Sequence, residues 1–168
     1  MPKILVPVGG NGNDRFAVQN VINRFMNNTA MELHLLNVQM PFSAYVARSS
    51  SRKSRHDYHR EQADQALAPV KAMLDKFSIP YAVHMEVGDR AQVITDTARR
   101  LHCDEIVMAT ARKNSLTRLV ENSVTDRVIE LTSVPVEVIA GDSMSKWERY
   151  GIPAAIGAGI AMALAIAD

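Results

Sequence analysis

The chain holds a single cysteine, Cys103, in 168 residues. That excludes a disulfide framework and any zinc site built on cysteines. Aromatic residues make up only 5%. Charge of one sign is also lacking: 19 Lys and Arg face 18 Asp and Glu, a net charge of +1. No global field therefore draws the protein to nucleic acid or to an anionic membrane. No charged n-region, apolar h-region and cleavage site open the chain, so secretion is not expected and a cytoplasmic location is. No Gly-Lys-Ser/Thr follows a glycine turn, which excludes a P-loop. No Gly-x-Ser-x-Gly elbow occurs. Gly10-Asn11-Gly12 opens like a dinucleotide fingerprint, but Arg15 stands where the third glycine belongs.

What is present is a chain of 47% apolar and 22% charged residues. It is long enough to bury roughly 70% of its unfolded surface in one core. Lys3-Ile4-Leu5-Val6-Pro7-Val8 is a nearly continuous apolar run, the pattern of a strand buried on both faces. Gly9 to Asn13 is a turn, with Asp14 placed to cap the helix after it. Val18, Val21, Ile22 and Phe25 give that helix its apolar face. Leu33 to Val38 reads as the second strand. Residues 40–54 form a long connection, and Ser54 with Asp57 makes a capping-box pattern. Ala63, Ala66, Leu67, Val70, Leu74 and Phe77 line the next helix. Tyr81 to Val87 is a third strand, and Gly88-Asp89 a turn and cap. Ala91, Ile94, Ala98 and Leu101 mark a further helix. Glu105 to Ala109 is the fourth strand. Leu116, Val120, Val124, Val128 and Leu131 line the following helix, and Val134 to Ala140 is the last strand.

Five strands strictly alternating with helices predict an α/β fold: a Rossmann-like open, parallel sheet with helices on both faces. Such sheets bind ligands beyond the carboxyl ends of the strands, where strand order reverses. The reversal belongs beside the first strand, so Gly9 to Asn13 and Thr110 to Ser115 are the expected site. Pro135 and Glu137 mark the last strand as an edge.

The remaining chemistry is sparse. Cys103, just before the fourth strand, reads as a buried thiol. His56 and His59 stand one helical turn apart beside Asp57, but a solvated first turn explains them better than a metal. His34, His84 and His102 belong to no recognisable constellation. No acid–base pair emerges, so the residues name no catalytic group and no metal site. Arg48, Arg52, Lys53, Arg55 and Arg60 make residues 48–60 basic. This reads first as a solvated loop and helix start, second as an anion or membrane-surface contact. It lacks the interleaved aromatics of a nucleic-acid surface.

Val107-Met108-Ala109-Thr110-Ala111-Arg112-Lys113-Asn114-Ser115, continuing through Asn122-Ser123-Val124 to Val134-Pro135-Val136-Glu137-Val138-Ile139, resembles the signature of the universal stress protein family. Ile4 to Val8 resembles that family's first strand, and Val87-Gly88-Asp89 its third-strand exit. The likeness runs from about residue 2 to 140. It implies a five-stranded α/β sandwich that dimerises through the last strand, here the edge bearing Val136 and Val138.

Many members bind ATP through Gly-x2-Gly-x9-Gly-Ser/Thr after the fourth strand. Glycines let backbone amides close on phosphates, and the helix N-terminus adds positive potential. Here the three glycine positions are Ala109, Arg112 and Asn122, and only Ser123 survives. Gly9 replaces the aspartate that follows the first strand in ATP-binding members. Pro7 and Val38 occupy family-equivalent positions, Val38 that of an adenine contact. The resemblance thus implies a homodimeric, non-catalytic stress-response module with a degenerate nucleotide site, holding ATP weakly or not at all. The alternative is a nucleotide-binding switch or slow ATPase of the same family.

Beyond a 1–140 domain and a 141–150 linker, 151–168 is expected to be an apolar C-terminal helix. Gly151 to Ala167 carries no charge. About 17 helical residues span ~25 Å, short of a ~30 Å bilayer core. Gly151, Ala155, Gly159, Ala163 and Ala167 form a smooth stripe suited to close helix contact. Docking on protein, membrane anchorage beside Lys146, Trp147, Arg149 and Tyr150, and a frayed end are the three readings. Anchorage would make the chain a membrane-tethered adaptor, peripheral to the inner face.

Overall fold

The computed structural model describes residues 1–27, 30–112 and 124–143, with backbone alone at 111, 112, 142 and 143. Five strands form one parallel sheet: β1 (Lys3–Pro7), β2 (Glu32–Gln39), β3 (Tyr81–Val87), β4 (Glu105–Arg112) and β5 (Val136–Ser143). Their order is β3-β2-β1-β4-β5, so the direction of winding reverses between β1 and β4. In the β1 register, Ile4 faces Leu33 of β2 and Glu105 of β4.

β1 takes the central place with apolar residues buried on both faces. Ile4, Leu5 and Val6 are each 0% exposed. Ile4 and Val6 point to one face, where they pack with Val18, Val21 and Ile22 of α1 (Asp14–Met26) and Leu67, Val70 and Leu74 of a long helix, Arg52–Lys76. Leu5 points to the other face, toward Ile94 and Ala98 of a helix at Arg90–Arg100 and Val128 of one at Val124–Leu131. A strand with two buried faces must be apolar at every position, as this one is.

Four sequence expectations change in detail. Residues 40–54 are not a plain connection: they hold a short helix α2 (Ala44–Ser49), and α3 then runs Arg52–Lys76. Ser51, not Ser54, caps α3, because its extended backbone brings its hydroxyl to the Ser54 amide at 3.0 Å. Phe77 lies just past α3 and is 37% exposed, so it leaves the apolar face. The last strand is shifted to Val136–Ser143. Val134 donates its amide to the Thr132 hydroxyl in a turn, while pairing with β4 continues to Arg112 and Ser143. The first three residues assigned to the linker are therefore strand. The remaining helices are α4 (Arg90–Arg100) and α5 (Val124–Leu131).

Two polar clusters tie layers together. Arg24 of α1 bonds Glu105 at 2.8 Å and Glu137 at 3.1 Å, so Glu137 faces inward to a helix. On the other side of the sheet, His34 and His84 meet ring to ring, Nδ1 to Nε2 at 3.0 Å, and Glu32 holds the far nitrogen of His34 at 3.1 Å. No local spacing pairs these histidines, because β2 and β3 bring them together across 50 residues.

Burial, and then the facing His34, hold the His84 ring below the usual histidine range, with Arg100 acting in the same sense and Glu86 against it. One of the two facing nitrogens must also lack a proton to accept the bond. The unfolded chain therefore takes up the proton first. Stability from this pair is complete above about pH 6.5 and erodes as pH falls through the native value. Thermal melts between pH 7.5 and 5 should show that decline. In His84→Gln the slope should be shallower; an unchanged slope assigns the decline to other groups.

Candidate functional site

The reversal between β1 and β4 opens a cleft at the carboxyl ends of the strands, as the topology requires. It encloses about 390 Å³, within the roughly 300–1,000 Å³ range of small-molecule sites. Its floor is apolar: Leu36 and Val38 from β2, Ile94 from α4, Met108 from β4 and Val124 from α5. Pro7, Gly9, Asp14, Ala109 and Thr110 complete the walls, with Arg90 at the rim.

The turn between β1 and α1 is built to close on itself. Val8 stays buried, and its amide continues the ladder to Leu36 at 2.8 Å. Asn37, 2% exposed, donates its side-chain amide to the Val8 carbonyl at 2.8 Å. Gly10 has φ +79°, a left-handed conformation that favours glycine, and an added Cβ would stand 2.9 Å from that of Ala66. That conformation aims the Gly10 amide at Asp14, whose carboxylate accepts it at 2.8 Å. Asn11 accepts the amides of Asn13, through its side chain at 3.0 Å, and of Asp14, through its carbonyl at 3.2 Å.

Asp14 was expected to cap α1. Instead it is the first residue of the helix, Asn13 precedes it, and its carboxylate turns back over the loop. It is 7% exposed. Burial pushes its carboxyl up to about 6, although backbone amides at Gly10, Gly9 and Asn11 pull the other way. A buried acid with that value is half ionised near pH 6 and mostly negative at neutrality.

Among the expected site residues, the structure brings Pro7, Gly9, Val38 and Ala109 together around one cleft. Arg112 ends β4, paired with Ser143 across a register shift, and its side chain lies outside the described residues. Asn122 and Ser123 also lie outside them, as do Leu116, Val120 and the apolar segment 151–168. Val136 and Val138 stand on β5. Val136 packs partly on the core beneath α4 and α5, and Val138 is 40% exposed. Sequence reasoning missed Asp14 as a wall of the cleft, and it missed Arg90 altogether. Only their places beside a glycine turn and a helix cap hinted at either.

Other candidates resolve simply. Burial pushes the Cys103 thiol up, away from nucleophilic use. His59 stacks on Phe42, with centroids 4.5 Å apart, while the His56 side chain is 63% exposed. Among the described residues, no three metal-ligating side chains cluster, and no helix is long and apolar enough to cross a membrane.

With the geometry in hand, comparisons place the chain. The model of the universal stress protein family matches residues 1–140. A universal stress protein of Methanocaldococcus jannaschii is 28% identical over 139 residues, covering 82% of this chain and 81% of that one. The solved structure of the hypothetical protein MJ0577 superposes with a TM-score of 0.69 at 23% identity, covering 85% of this chain and 98% of its own. A universal stress family protein from Arabidopsis thaliana, solved with AMP bound, gives 0.60 at 15% identity, over 84% and 92%.

The Asp14 carboxyl generates a stability prediction. Its native value lies above the unfolded one, so its contribution is complete below about pH 4 and is lost as pH rises through about 6. At pH 7.5 a buried charge is a cost. Asp14→Asn keeps an oxygen for the Gly10 amide and removes the charge. Denaturant titration should show a gain on the order of 1–3 kcal/mol at pH 7.5. The gain should shrink toward zero below pH 4. A loss at pH 7.5, or an equal change at both pH values, contradicts this account.

Proposed function

Because the chain belongs to the universal stress protein family, we propose that it is a non-catalytic stress-response module whose cleft is a degenerate nucleotide site: it accepts a purine base and holds ATP weakly. One observation carries the reading. The cleft keeps an apolar floor of Leu36, Val38, Ile94 and Met108, while the turn beside it has its Gly10 amide committed to Asp14.

The floor supports a flat, apolar-faced ligand such as a nucleobase. The AMP bound by the Arabidopsis thaliana relative makes a purine the ligand class to test. The turn disfavours a polyphosphate for two reasons. An amide already bonded to a carboxylate cannot bond a phosphate without first breaking that contact. A buried carboxylate, ionised above about pH 6, also repels the charge of a triphosphate. Ala109, Arg112 and Asn122 add side chains where the family's glycines expose backbone, as the sequence pattern implies.

Calorimetric titration tests the reading. ATP should bind with a dissociation constant weaker than about 10 μM, about −7 kcal/mol. A variant with glycine at positions 109, 112 and 122 should bind ATP more tightly than the native chain. Tight ATP binding by the native chain would overturn the degenerate-site reading in favour of a nucleotide switch.

The module is proposed to act as a twofold dimer through β5. That strand is an edge of the sheet, and its outer side is unpaired among the described residues. Exposed edges of this kind invite pairing with a second copy. Val138 is the clean probe, since Val136 also packs on its own domain. Val138→Lys should give a folded monomer by sedimentation with an unchanged melting temperature at low concentration. A stable dimer carrying that lysine moves the interface away from β5.

A further inference from the structure

A second chamber opens beside the first. It encloses about 370 Å³ and shares Gly9, Val38 and Arg90 with the apolar cleft. Its other walls are different in kind: Gly10 of the turn, Asn37 and Gln39 from the end of β2, and Gln62, Gln65 and Ala66 from α3. Four side-chain amides on two facing elements form a polar pocket abutting an apolar one.

The donors and acceptors in it are not equivalent. Asn37 is committed at both ends. Its nitrogen bonds the Val8 carbonyl, and its oxygen accepts from Gln39 at 2.6 Å. It therefore fixes Gln39 rather than meeting a ligand. Gln65 leans away toward Glu61, at 3.4 Å. The carbonyl oxygen of Gln39 and both polar atoms of Gln62 have no hydrogen-bond partner among the described residues, at a half-buried wall.

Arg90 stands where the two chambers join and has no ion pair among the described residues. It is the one cation among the described lining residues of either chamber. Its neighbour Asp89 is otherwise engaged, capping α4 through the Gln92 amide at 3.1 Å and accepting from Arg127 at 3.1 Å. The Asp14 carboxylate lies on the apolar chamber's side of the turn, held by Gly10. Among the described residues no carboxylate engages this guanidinium, which leaves it open to an anionic ligand.

We propose that the amide-lined chamber is a sugar-phosphate subsite of the cleft, so that the two chambers together take a nucleoside monophosphate. This rests on the base-binding reading above. The base lies on Leu36, Val38 and Met108. The phosphate meets Arg90, and the sugar hydroxyls meet Gln39 and Gln62. The phosphate then points toward α3 and α4, away from the segment after β4 where the family signature places its glycines. One guanidinium matches one phosphate group, and no second cation among the described walls receives a longer chain.

The experiment is calorimetric titration of the full chain with adenosine and with AMP, separately. Native protein should bind AMP at least about tenfold more tightly than adenosine. Arg90→Ala should abolish that difference, with AMP losing at least about tenfold more affinity than adenosine. Arg90→Lys should restore part of it. Gln62→Leu should weaken both ligands by a similar factor, about threefold or more, with an unchanged melt. An AMP preference that persists in Arg90→Ala overturns the subsite and sends the phosphate elsewhere, while base binding stands. AMP binding no tighter than adenosine in the native chain also overturns it. Failure of adenosine itself to bind removes the base-binding reading, and the subsite with it.

Discussion

Everything in this molecule hangs on the burial of β1 from both sides. Ile4, Leu5 and Val6 contribute alternately to the two apolar clusters on opposite faces of the sheet. Fully burying three such side chains is worth about 1.5–3 kcal/mol each. That is a large share of a domain stability of about 5–15 kcal/mol. β3 and β5, at the edges of the sheet, each expose one apolar residue or more. With β1 fixed at the centre, β2 and β4 must flank it, and the winding must reverse between β1 and β4. The cleft is a consequence of that reversal, and its apolar floor continues the core beneath α4. Leu36, Val38, Ile94 and Met108 belong to the cleft and to that core alike.

The fold was legible in the sequence because its signals are local and periodic. The apolar run at Lys3 to Val8, the capping aspartate at Asp89 and the spacing of Leu67, Val70 and Leu74 each dictate structure within a few residues. Errors arose where two local signals competed. Ser51 and Ser54 both precede a helical pattern, and backbone geometry, absent from the sequence, chose Ser51. Val134 looked like strand, but Thr132 captured its amide in a turn.

The site was legible only in part, for a different reason. Pro7, Gly9, Val38 and Ala109 could be named because a linear motif carries them. Asp14, Arg90 and the glutamines of α3 belong to no linear motif. They meet because α3 and α4 lie on opposite faces of the sheet and both reach the same end of β2. The His34–His84 pair escaped notice in the same way. Sequence spacing cannot show a contact between residues 50 positions apart.

Asp14 bears on the proposed loss of a phosphate site. Substituting the glycines of a phosphate loop removes backbone access, but amides left in the interior still need partners. In this chain the turn after β1 supplies one from its own helix. The left-handed Gly10 presents its amide, and the buried Asp14 carboxylate accepts it. An anion is still bound near this end of the sheet, but it is the protein's own and covalently attached. Such an internal acceptor is always present at high effective concentration, so a free phosphate must displace it as well as bind. On the proposed reading, ligand charge is kept from the turn and meets the one cation of the described walls, Arg90, which lines both chambers. The amide-lined chamber is then the polar exit from the proposed base cleft.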